Sequence, residues 1–158
     1  MNDETRLRTR QALAATMDMV GYTVRTLAAA TVSPKTGRPL GTDTVGDIVN
    51  KDVSYAVSKA IPTIWETLER AKAKQDEAID AALERYDMLR DALPDDAEPT
   101  VERRYWTSER EYLENSTDSA LGVAVDWRMS NANSRRLAAI LESEGATVRW
   151  VGTGLPRK

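Results

Sequence analysis

Apolar side chains recur at helical spacing along most of the chain. Leu7, Leu13 with Ala14, Met17 and Val20 predict a first helix over Glu4–Met19, closed by Gly21. Val24, Leu27 and Ala28 predict a short second helix over Thr23–Thr31, with Thr23 as its N-cap. Val45, Ile48 and Val49 predict a third over Thr42–Asn50, with Thr42 as N-cap and Asp43 favourable to the helix dipole. Between the last two runs a loop holding Pro34, Lys35, Gly37, Arg38, Pro39 and Gly41 breaks the period. Thr36-Gly37-Arg38 is expected to form a small two-stranded tip that projects like a wing with Lys35 and Arg38 pointing outward.

Helical pattern continues over Val53–Ala60, and Pro62 fits the first turn of a new helix. Thr63–Leu93 is the longest unbroken stretch. Ile61, Ile64, Leu68 and Ala71 follow a heptad-like spacing that weakens at Gln75 and resumes at Ile79, Ala82, Leu83, Tyr86 and Leu89. Such a stripe serves as a core face or as a dimer seam, and the length of the helix favours the seam. Ile61, Ile64, Leu68, Ile79, Leu83 and Tyr86 are the expected oligomerisation residues.

Pro94-Asp95-Asp96-Ala97-Glu98-Pro99 reads as a linker. Beyond it, Thr100–Asn115 is expected to be a helix carrying Tyr105, Trp106, Tyr112 and Leu113 beside Arg103, Arg104 and Arg110. Those aromatics fit core or interface anchors better than base-stacking platforms. The apolar run Ala120–Trp127 fits a strand or a helix equally. Asn133–Glu144 reads as a helix stopped by Gly145, and Ala146–Gly152 as a strand in which Val148 and Trp150 alternate with Thr147 and Arg149. Thr153–Lys158 is expected to be a mobile tail. The resulting expectation is a mainly α protein: an N-terminal helix-turn-helix over 1–60, a long linking and oligomerisation helix over 61–93, a linker over 94–99, and a small C-terminal α or α+β part over 100–158.

Composition narrows the chemistry. The 158 residues include no cysteine and no histidine. Disulfides, thiolate nucleophiles and ordinary structural zinc sites are thereby excluded. The usual general base near neutral pH is missing too, and no phosphate-binding glycine loop, calcium-spaced loop or acid–base pair stands out. An enzyme is not expected, nor a cofactor or a bound metal. No apolar run reaches the length of a membrane span, and the Met1-Asn2-Asp3-Glu4 start does not resemble a secretory signal, so a cytoplasmic protein without a membrane partner is expected.

The net charge of −3 is unevenly spread. Residues 1–60 hold eight Lys/Arg against six Asp/Glu, residues 61–100 five against eleven, and residues 101–158 nine against eight. The segment with the helix pair is therefore mildly basic, the sign that attracts phosphate.

Within that segment Leu27-Ala28-x-Ala30-Thr31, Val32-Ser33 and Thr44-Val45-x-x-Ile48-Val49 resemble the helix-turn-helix signature of phage-repressor and Cro-like regulators. The stretch departs from that pattern in two places. The usual turn glycine is absent between Thr31 and Val32, and extra residues within Pro34–Thr42 separate the helices. A similar lengthened connection, rich in Pro, Gly and Arg, occurs in the C-terminal DNA-binding segment of serine recombinases, which SPKTGRPLGTDTVGDIVNKD also resembles. The chain has no room for a recombinase catalytic domain, so only the binding module is carried over.

The resemblance implies a transcriptional regulator, repressor-like or antitoxin-like, that binds duplex DNA as a dimer. The expected DNA contacts are Arg25, Lys35, Arg38, Thr42, Thr44, Asn50 and Lys51. Asn pairs with adenine and Thr touches a thymine methyl in a major groove. Asp43 and Asp47 on the same helix repel phosphate, and they suit the alternative: a phage assembly or packaging component whose helices form a protein-interaction and oligomerisation scaffold.

Overall fold

The computed structural model describes residues 8–116 and 126–152. It is mainly helical, with a small parallel sheet of two strands near the C-terminus. Seven helices lie among the described residues: α1 (Arg10–Val20), α2 (Val24–Ala30), α3 (Thr42–Asn50), α4 (Asp52–Val57), α5 (Ile61–Asp91), α6 (Glu109–Asn115) and α7 (Trp127–Ser143). The strands are β1 (Thr100–Arg104) and β2 (Thr147–Val151). The chain divides into two compact units, Met1–Lys74 and Gln75–Lys158. Part of the first predicted helix, including Leu7, lies outside the described residues, as do most of the ambiguous apolar run and the tail.

In the first unit the helix ends are set by local chemistry. Thr9 caps α1 by accepting from the Ala12 amide, and Gly21, at a φ of 85°, closes it. Gly21 and Tyr22 both donate their amides to the Met17 carbonyl, satisfying a helix end that only a left-handed residue permits at this sharpness. Thr23 and Thr26 cap α2 reciprocally, each side-chain oxygen meeting the other's backbone amide. Leu13, Met17 and Val20 of α1, Leu27 and Ala28 of α2, and Val45 and Ile48 of α3 are all buried, as are Ile64, Trp65 and Leu68 at the start of α5. Gly46 on α3 lies beside Val24 on α2, at a distance where a Cβ would make ordinary van der Waals contact. The N-cap of α3 is Gly41 rather than Thr42: the Gly41 carbonyl accepts from Val45, which places Thr42 in the first turn.

In the second unit β1 and β2 pair in parallel from Thr100 opposite Thr147 to Arg104 opposite Val151. A parallel pair cannot be joined by a tight turn, and the connection carries α6 and α7. Ile79 and Tyr86 of α5 pack with Leu137 and Leu141 of α7 and with Ala146, while Val101 and Val148 close the cluster from the strands. Trp106 is buried and clamped by Asn131, which accepts from its amide and donates to its carbonyl, both at 2.8 Å. Its indole nitrogen donates to Ser130, and its ring meets Tyr112 edge-on.

Three expectations change. Thr100–Asn115 is a strand and a short helix, because β1 finds its partner far along the chain. The Pro94–Pro99 segment is an internal connection rather than a boundary: the Pro99 carbonyl accepts from the Thr147 amide at the base of the sheet, and the division falls within α5. The expected oligomerisation stripe is largely consumed by the chain's own core. Ile64 and Leu68 have no exposed surface, Ile79 and Tyr86 are buried, and Leu83 packs against the core cluster, which leaves only Ile61, half-buried at the helix start, outside the two cores.

Candidate nucleic-acid interface

The connection between α2 and α3 is a small hairpin. Thr31 is fully buried and its hydroxyl donates to the Leu27 carbonyl. Its own carbonyl accepts from the Leu40 amide, and Ser33 donates to the Arg38 carbonyl, so Val32 and Pro39 pair as an antiparallel bridge. Gly37 takes the left-handed conformation, φ 65°, needed to turn the tip, and donates to the Ser33 carbonyl. The projecting two-stranded tip expected from the loop's glycines and prolines is therefore present. Lys35 and Arg38 are exposed on it, and neither forms an ion pair with a described residue.

On α3 the apolar residues Val45 and Ile48 face the core and the opposite side is open to solvent. Thr42, Asp43, Gly46, Asp47, Asn50 and Lys51 line a shallow hollow whose far wall is Val24, in the first turn of α2. Thr42, Asn50 and Lys51 are thus brought together among the expected contact residues. Thr44, Arg25, Lys35 and Arg38 are exposed but are not part of that hollow.

Two of the gathered residues have local partners. The Asn50 amide donates to the Gly46 carbonyl one turn back, at 2.8 Å. Lys51 Nζ lies 2.8 Å from Asp47 Oδ1 across one helical turn. Both partners are exposed, and a surface pair of this kind is worth at most about 0.5 kcal/mol, so a phosphate readily displaces it. With Asp43 and Asp47 set against Lys51, the hollow itself carries a net negative charge. Arg25, Lys35 and Arg38 are exposed and have no ion pair with a described residue.

Arginines near α1 have structural tasks. Arg10 donates from Nη1 to the Val49 carbonyl at 2.9 Å and from Nε to Asp52 at 2.5 Å, which satisfies the C-terminal end of α3 and places a cation where the helix dipole favours one. Arg8 pairs with Glu69, lies over the Trp65 ring and gives its carbonyl to the Tyr55 hydroxyl. Tyr55 accepts in turn from the Trp65 indole. Sequence reasoning missed these roles.

Among the described residues no three His, Cys, Asp or Glu side chains converge as metal ligands, and no helix is long and apolar enough to cross a membrane. No protein-family model, curated protein or solved structure matches the chain.

Proposed function

We propose that the first unit binds duplex DNA, with α3 presented to a major groove and the Lys35–Arg38 hairpin on an adjacent phosphate or minor groove. The observation that carries this reading is the hairpin. It is a tip closed by three backbone hydrogen bonds that holds two cations without ion-pair partners among the described residues beside an open helix. Arg25 adds a third exposed cation in the first turn of α2. Thr42, Thr44 and Asn50 supply base-reading groups on α3, once Asn50 releases the Gly46 carbonyl. The role is that of a transcriptional regulator, repressor-like or antitoxin-like, acting as a dimer in the cytoplasm so that two weakly charged readers add their contacts. The buried stripe of α5 is not available to that dimer.

Selection of bound fragments from a genomic duplex pool at low salt tests the reading. Enrichment of a common sequence supports it, and no retention of any fragment refutes it.

A second reading rests on Asp43 and Asp47, both exposed on α3, with Asp47 holding Lys51. This acidic face suits a basic protein partner in a phage assembly or packaging scaffold. Under that reading the solution mass is a large closed oligomer and DNA is not retained.

A further inference from the structure

The second unit contains a cleft of about 560 Å3 lined by α5, β1 and α7. Its apolar side is Ile79, Ala82 and Leu137. Its polar side carries three guanidinium groups, from Arg85, Arg103 and Arg104, and the hydroxyls of Ser130 and Ser134. The one carboxylate in the lining, Glu102, is paired with Arg149. The cleft is therefore cationic in a chain whose net charge is negative.

Arg103 and Arg104 are positioned by neighbours. Arg103 reaches the buried Ser134 Oγ at 3.3 Å. Arg104 lies over the Trp106 ring and makes one long contact, 3.4 Å, to the Asn115 carbonyl. A guanidinium has five N–H donors in a planar fork, so one such contact leaves the fork able to grip an oxyanion in two-pronged fashion. Arg85 is an exposed residue of the lining and has no ion pair with a described residue. The volume falls within the range of small-molecule pockets and is far below what a folded partner requires. A nucleic acid or a membrane surface needs an extended basic face, whereas these charges converge on a recess.

We infer that this cleft binds a small organic anion, its phosphate or carboxylate group held by Arg85 and Arg104 and its apolar part against Ile79, Ala82 and Leu137. The inference stands apart from the DNA reading of the first unit, and neither fails with the other.

Calorimetric titration of the full chain with adenosine monophosphate in one arm and citrate in another tests it. Saturable binding in at least one arm is expected, and the arm that binds assigns the head group. An R85A/R104A double variant, checked for folding by circular dichroism, should bind that probe at least about tenfold more weakly. An R135A variant, which removes an exposed arginine outside the cleft, should bind it like the parent. No saturable binding in either arm up to about 10 mM overturns the inference. So does binding that the double variant retains or that R135A weakens equally.

Discussion

Arg10 and Val49 stand 39 residues apart in sequence, yet the Arg10 guanidinium donates to the Val49 carbonyl at 2.9 Å. That bond closes the C-terminal end of α3 and ties the exposed helix of the pair to α1. Loss of the side chain leaves a helix-end carbonyl to water and removes a favourable cation from the dipole. The Arg10→Ala variant is expected to lose about 1–2 kcal/mol of stability. Urea denaturation checks this. An Asp52→Asn variant, altering a carboxylate with 78% of its side-chain surface exposed, should lose less.

Leu68 has no exposed surface and belongs to the first unit's interior. Replacing it with alanine leaves a cavity, with an expected cost of about 2–5 kcal/mol. Because the side chain is buried by its own chain, the loss should be the same at every protein concentration. Thermal melts of Leu68→Ala over a wide dilution series make the check. A loss that vanishes on dilution would instead identify the stripe as an intermolecular seam.

Asn131, 2% exposed, satisfies both the amide and the carbonyl of Trp106. Asn131→Ala removes two bonds at once and leaves both backbone groups buried. A loss of about 2–4 kcal/mol is expected, along with a changed near-ultraviolet circular dichroism signal from the loosened indole. Asn131→Asp keeps the acceptor but loses the donor and buries a charge, so it should rescue nothing.

What was legible in the sequence was what is local. The stripes Leu13–Met17–Val20, Leu27–Ala28 and Val45–Ile48 face the core as their spacing requires, and Thr23 and Gly21 cap as their chemistry requires. The hairpin tip was legible too, since prolines, Gly37 and a short span leave the backbone few alternatives. What was not legible depends on distant partners. Thr100–Arg104 alternates in burial but has Val101 as its one apolar residue, so its sequence carries no period-two apolar pattern, and its strand character comes from Thr147–Val151. Pro94 and Pro99 signalled a break in the chain, which they make, but the lower half of α5 packs across that break on Leu137 and Leu141. A heptad-like stripe looks the same whether its cover is a second copy or the same chain, so periodicity alone did not separate seam from core. At the candidate interface, the exposed cations of the hairpin were foreseen. The local pairing of Lys51 with Asp47 follows from their spacing of four, while the use of Arg10 as a cap on α3 has no local signature.

Under the proposed function, the first unit reads duplex DNA with the Lys35–Arg38 hairpin as a contact element. The most direct measurement is fluorescence anisotropy of a labelled duplex, taken from the genomic selection, against the parent chain and a Lys35→Ala/Arg38→Ala variant across a salt series. Salt-sensitive binding by the parent is expected. The variant is expected to bind at least about tenfold more weakly, with the slope of log affinity against log salt reduced by about 1–2, and to melt at the parent's temperature because both side chains are exposed. Equal affinity and equal slope for the two proteins, or no binding by the parent at low salt, would contradict the proposed function.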